Sequence, residues 1–175
     1  LRRVNDPFPL HQRKLLFKNS GQGRFEDVTA RGGVAFELSE VGRGVAFGDI
    51  DNDGDEDVLV ANNNGQPRLL VNNIGNQNHW IGLRLVGAAQ GTAANQTRDM
   101  LGARVGIVRD GGPTLWRRVR SDGSYASAND PRVLVGLGQS TSVSRVRVIW
   151  PSGKSEEWSS IAVDRYTTLT EGGGK

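Results

Sequence analysis

The chain has 175 residues, 24 of them Gly, with 36% hydrophobic residues, no Cys and a formal net charge of +3. That is enough chain for one ordinary domain or two small ones, and the absence of Cys excludes disulfides and thiolate chemistry. No stretch approaches the roughly 20 apolar residues of a membrane-spanning helix, so no membrane insertion is expected.

Gly spread among short apolar runs points to many tight turns and a β-rich fold. The chain starts at Leu1 without a secretory signal, which reads as a mature product or a piece of a longer protein. Residues 15–21 (LLFKNSG) are echoed 54 positions later by residues 69–75 (LLVNNIG), a spacing that suits one blade of a propeller or one unit of another repeat array. Residues 24–29 alternate, residues 44–47 lead as a strand into an acidic run, and residues 58–61 lead out of it, so the acidic run is a loop between strands. After residue 78 the texture changes. Residues 79–86 alternate with Ile81, Leu83 and Leu85 on one face, residues 88–99 read as a long polar loop, and strands follow at 103–107, 114–120 and 133–137. Val146, Val148 and Trp150 share a face, Pro151-Ser152-Gly153 makes a turn, residues 156–161 return as a hairpin partner, and 166–170 is a last strand before a flexible glycine tail. No convincing amphipathic helix is found. The expectation is all-β, a sandwich or barrel in the second part, with a boundary dividing residues 1–78 from 79–175.

The acidic run, GDIDNDGDEDVLV over residues 48–60, crowds Asp49, Asp51, Asp53, Asp55, Glu56 and Asp57 into nine positions with no Lys or Arg among them. Read from Asp49 the spacing is D-x-D-x-D-G-x-x-D. Carboxylates at positions 1, 3 and 5 of a tight loop converge, Gly54 at position 6 permits the sharp turn that points the Asp55 carbonyl inward, and Asp57 closes the far side. The set of hard oxygen donors Asp49, Asp51, Asp53, Asp55 and Asp57 suits Ca²⁺, with its 6–8 loosely arranged oxygens, better than Mg²⁺, while Zn²⁺ would want His or Cys. An EF-hand would close with Glu at position 12, and here that position is Val60. The loop supplies nearly all its own ligands and the nearest His, His79, is 22 residues on, so a structural ion is expected rather than a catalytic one with an open ligand position.

The run from Gly42 through Asp57 to Asn62, with Leu16-Phe17-Lys18-Asn19 and Phe25-x-Asp27-Val28-Thr29 before it, resembles the FG-GAP/VCBS repeat of integrin-type β-propellers. Asn78-His79-Trp80, Gly102-Ala103-Arg104-Val105, Gly123-Ser124-Tyr125, Asp130-Pro131-Arg132, Gly136-Leu137-Gly138 and Trp150-Pro151-Ser152-Gly153 resemble, in order, the ASPIC/UnbV domain, which follows such propellers in exported proteins, bacterial ones among them. The resemblance implies a calcium-binding loop, an extracellular or periplasmic setting, no established catalytic residues, and a partial propeller of about one blade followed by a β-sandwich-like domain. A closed propeller takes several blades, so upstream blades of a longer chain are expected.

Other candidates carry less. Tyr125, Asp130 and Arg132 read as a turn before a polar pocket. Trp80, Trp116, Trp150 and Trp158 read as packing before a sugar-stacking face. The charge divides unevenly: residues 1–78 hold 9 basic against 11 acidic residues (−2), and residues 79–175 hold 13 against 8 (+5). The stripe Arg117, Arg118, Arg120, Arg145 and Arg147 reads as a solvated sheet face before a surface for an anionic partner, and nucleic acid is a distant third possibility. No serine-hydrolase elbow, zinc-protease helix or phosphate loop is found. The expected role is a non-catalytic calcium-binding module for adhesion, protein interaction or assembly, with protein or glycan partners. The alternative is a glycan-binding accessory domain of an exported carbohydrate-active enzyme.

Overall fold

The structure is a computed structural model that describes residues 10–87 and 97–175. Its strands are β1 (Gln12–Arg13), β2 (Phe17–Gly21), β3 (Arg24–Asp27), β4 (Ser39–Glu40), β5 (Gly42–Gly48), β6 (Asp57–Asn62), β7 (Arg68–Leu70), β8 (His79–Gly87), β9 (Arg98–Asp99), β10 (Arg104–Val108), β11 (Leu115–Arg118), β12 (Val133–Gly138), β13 (Arg145–Ile149), β14 (Ser155–Ser159) and β15 (Tyr166–Thr170). Helix among the described residues is limited to single 3₁₀ turns at Thr29–Arg31, Val34–Phe36 and Gly75–Gln77. None is long and apolar enough to cross a membrane. The fold is all-β, as the turn chemistry predicts.

In the first part, β5, β6 and β7 form an antiparallel meander, β2 and β3 a hairpin, and β1 pairs with β4. The acidic run is the connection from β5 to β6, with Gly48 and Asp57 facing each other in the register. Apolar side chains here stay open: Phe17, Phe25, Phe47, Leu59 and Leu69 are all exposed.

The second part is built from two sheets, ordered β11-β10-β13-β14 and β12-β8-β15, with β9 also on β8. Their facing sides make one core that includes Ile81, Leu83, Leu85, Val105, Ile107, Val133, Val135, Val146, Val148 and Trp150. Alternation on β8 and β13 therefore works as expected, because a period of two puts every second residue on the buried face. The expected hairpin partner is β14, antiparallel to β13. Strand β8 is covered in part on its other face too, at Trp80, Gly82 and Val86. There Gly82 lies in register with Tyr166 of the parallel strand β15, and a Cβ on Gly82 would sit 2.4 Å from the Tyr166 ring. The absent side chain lets that ring lie across β8.

Two expectations are corrected. Within the polar stretch 88–99, residues 88–96 lie outside the described residues, and Arg98–Asp99 is strand rather than loop. It pairs with the end of β8, and Arg84 Nε donates to Asp99 Oδ1 at 2.8 Å. The glycine tail is not free. The buried Glu156 carboxylate takes the Gly172 and Gly174 N–H groups, and Lys175 exchanges both backbone hydrogen bonds with Glu157. A buried carboxylate needs donors, and residues without side chains can bring their N–H groups close: a Cβ on Gly174 would already touch Trp158.

Candidate metal centre

The β5–β6 connection turns tightly. Asn52 (φ +63°) and Gly54 (φ +97°) both adopt the left-handed region, which Asn tolerates and Gly accepts freely. The turn is held by its own carboxylates. Asp49 Oδ1 accepts the Asp53 N–H at 3.1 Å and Asp49 Oδ2 the Gly54 N–H at 3.0 Å. Asp57 Oδ2 accepts the Ile50 N–H and Asp57 Oδ1 the Asn72 N–H, both at 2.9 Å. Asp49 and Asp57 are each only 2% exposed.

Asp49, Asp51 and Asp57 converge: each offers a carboxylate oxygen, and the three lie within 4.8 Å of one another. Two oxygens on opposite sides of a Ca²⁺ ion stand roughly 5 Å apart, twice its 2.3–2.6 Å bond, so this spacing suits a shared cation. Asp53 stands outside the trio. Its Oδ1 accepts the Asp55 N–H at 3.2 Å and its Oδ2 accepts from Asn76 Nδ2 at 2.6 Å. The Asp55 carboxylate is buried against Gly75 with neither oxygen in an aligned hydrogen bond. Glu56 is exposed, as expected.

The electrostatics agree with the geometry. Among the described residues, none of these five aspartates forms an ion pair with Lys or Arg. Desolvation and then the charges of Asp53 and Asp57 push the Asp51 carboxyl above its ordinary range. Burial and the same two neighbours raise Asp55, which nearby Gly75 and Asn76 N–H groups offset only in part. A divalent cation would supply the positive charge that this cluster lacks. All donors of the trio are hard carboxylate oxygens, the kind that Ca²⁺ takes.

The second part of the chain reaches the same loop. Tyr166 Oη donates to Asp49 Oδ2 at 2.9 Å, and burial followed by that bond raises the phenol above its ordinary range. Arg132 donates from Nη2 to the Asp49 carbonyl and from Nη1 to Asn52 Oδ1, each at 2.6 Å, while its Nε is held by Asp130 Oδ2 at 2.6 Å. Its guanidinium lies 4.0 Å from the Tyr166 ring centroid. A Cβ on Gly54 would come within 2.1 Å of Trp80 Nε1. Asp130 also bonds the Arg132 N–H at 2.9 Å, so the local turn expected of Asp-Pro-Arg is present, while Tyr125 is exposed elsewhere. His79 pairs with Asp164 at 2.7 Å rather than with the loop, and that contact lowers the Asp164 carboxyl.

Sequence reasoning places the trio but not its supports. Arg132 and Tyr166 lie 83 and 117 positions from Asp49, and nothing near them in the chain marks the pairing. Beside the loop, a cleft of about 370 Å³ is lined by Arg117, Arg118, Arg120 and Arg132 together with Glu56 and Asn129. Three of the stripe arginines thus face this cleft, while Arg145 and Arg147 approach Glu157 on the sheet.

Residues 91–175 match the family model described as ASPIC and UnbV, and residues 11–60 match the FG-GAP-like repeat. A stretch of 57 residues, 33% of the chain, is 40% identical to cartilage acidic protein 1 of Xenopus tropicalis and 44% identical to the Mus musculus protein of the same name. It is also 44% identical to cartilage acidic protein 1 of Homo sapiens. These matches span only 8–9% of the relatives' length.

Proposed function

We propose, for a chain that joins an FG-GAP-like repeat to an ASPIC and UnbV domain, that it is a non-catalytic, calcium-binding interaction module of an exported protein, extracellular or periplasmic. The observation that carries this reading is the convergence of Asp49, Asp51 and Asp57 in a loop closed by its own backbone. The ion offsets their mutual repulsion and fixes the strand connection. Asp49, Asp51 and Asp57 are the side chains that would hold it, with the Asp55 carbonyl completing the set. Asp53 acts mainly as a brace through Asn76. Outside cells, where sites in the 10⁻⁴–10⁻³ M range suffice, such a loop works without high affinity.

The boundary falls at residues 78 and 79, where β8 opens the second domain. In the first domain, the exposed Phe17, Phe25, Leu59 and Leu69 are the faces that further propeller blades of a longer chain would cover. Partners are macromolecular, protein before glycan.

The test is calcium titration by calorimetry, with melting in calcium and in chelator, on the wild type and on Asp51→Asn. Asp51 is the exposed member of the trio, so its loss disturbs the fold least. One site that raises the melting temperature, abolished by Asp51→Asn, supports the reading. Stabilisation that survives the substitution sinks the assignment of the trio.

The arginine cleft favours a second reading, a glycan-binding accessory domain. Trp116 is 39% exposed with Arg104 lying 5.2 Å from its ring centroid, an arrangement able to stack on a sugar. Binding on an array of acidic and neutral glycans, lost in Trp116→Ala, would favour it over protein partners.

A further inference from the structure

We propose that Arg132 and Tyr166 are positioning residues of the ion loop, so that calcium binding and docking of the two domains are one coupled equilibrium. This rests on the calcium reading above and adds to it a role for the second domain.

Consider first what the loop needs. Its ligand trio comes from positions 49, 51 and 57, and a loop that must reorganise to gather them binds more weakly than one already in place. Three points of the loop are held from across the junction. Asp49 is gripped twice, at its carbonyl by Arg132 and at Oδ2 by Tyr166. Asn52, in the left-handed region, has its Oδ1 tied to Arg132. Gly54 rests on the Trp80 indole. Asp51 lies between the first two holds, so its carboxylate is aimed by anchors on both sides.

The holds are themselves rigid. The Tyr166 ring is wedged over Gly82, meets the Trp80 ring edge-on at a centroid distance of 5.2 Å, and has the Arg132 guanidinium 4.0 Å from its centroid. Asp130 fixes Arg132 by two bonds. The neighbouring backbone is stitched to β5: the Asp130 N–H donates to the Phe47 carbonyl at 2.9 Å, and the Phe47 N–H to Asn129 Oδ1 at 3.0 Å.

A cation this close to a calcium site would ordinarily oppose the ion. Here the Arg132 charge is met by Asp130, and its bonds to the loop go to a carbonyl and an amide oxygen, not to the ligand carboxylates. Its effect is therefore geometric. Tyr166 is neutral and orients a ligand from outside the coordination sphere, a role whose loss commonly weakens metal binding 10–100-fold. Coupling of this kind is reciprocal: whatever the docked domain adds to ion affinity, the ion adds to docking.

Tyr166→Phe is the discriminating variant in the full chain, because it keeps the ring contacts and removes only the hydroxyl. Calcium affinity by calorimetry should fall about 10-fold. Asn52→Gly, which keeps the backbone angle permitted and removes the Arg132 anchor without touching the second domain, should weaken it several-fold. In the wild type, calcium should slow hydrogen exchange at the Asp130 amide, and in Tyr166→Phe that slowing should shrink. If both variants bind calcium like the wild type, even while melting lower in chelator, their role is structural only and the inference is overturned. If the wild type itself binds no calcium, the reading beneath it fails as well, and the two failures are told apart by that single control.

Discussion

In the proposed second domain, residues 79–175, the least exposed side chains include Ile81, Leu83, Val105, Ile107, Val146 and Val148, gathered between two sheets; in the proposed first they are Asp49, Asp57 and Asp55, more buried than Val41 or Val60. One domain is closed by the hydrophobic effect, which needs two apolar faces and finds them. The other leaves its large apolar side chains open to solvent and buries charge instead. A buried carboxylate is costly unless it is paired or coordinates a metal, so this part of the chain leans on the wall offered by Trp80, Arg132 and Tyr166 and, on the function proposed above, on an ion as well. Apolar burial is thus concentrated in residues 79–175, and the acidic loop sits where the two parts of the chain meet.

The sharpest way to test that contrast is to remove comparable apolar groups from each side. Leu83→Ala, at a fully buried position, should cost about 2–5 kcal/mol, whereas Leu59→Ala, at a position 46% exposed, should stay within about 0.5 kcal/mol. Urea denaturation of the two variants reads this directly. Equal costs would mean that the first domain has a closed core after all. Next in size is Gly54→Ala, which strikes both halves at once. The new methyl group meets the Trp80 indole, and the left-handed backbone (φ +97°) becomes strained, costing about 1–3 kcal/mol. Melting in chelator should show that cost, and the calcium-dependent rise in melting temperature should shrink with it.

The two halves also differed in how far they could be read in advance. Strand alternation around Leu83 and Val148 was legible because a period of two meets one buried face, and it located the core. The convergence of Asp49, Asp51 and Asp57, three of the five aspartates expected to act together, was legible because their spacing is local: these positions belong to one turn. Asp53 was expected in the same donor set, but its second oxygen accepts from Asn76, which a later turn brings back to the loop. Arg132, Tyr166 and Trp80 escaped for the same reason on a larger scale, being supplied by the second domain across the junction. The glycine tail was misread because Gly carries no pattern, and its anchor, Glu156, lies 16–18 residues earlier. What sequence spacing encodes is contact within a turn or a strand; what it hides is contact between chain segments far apart.

A smaller effect separates the domains by pH. The first domain carries an ionic pin: Glu40 on β4 holds Lys14 at 2.7 Å and Arg68 of β7 at 2.8 Å. Arg68, then Lys14, draws the Glu40 carboxyl from its ordinary value of 4.5 down to about 2. A folded-state value below the unfolded one means the unfolded chain takes up the proton first, so the pin contributes fully above about pH 4.5 and is lost as pH falls towards about 2. Hydrogen exchange, corrected for its intrinsic pH dependence, should therefore speed up at the β1–β4 pair between those limits while the β8 amides stay protected. Glu40→Gln should remove the response in the first domain and leave β8 unchanged. If β8 loosens in step with β4 in the wild type, the two domains share one cooperative unit, and the division of stability between them has to be redrawn.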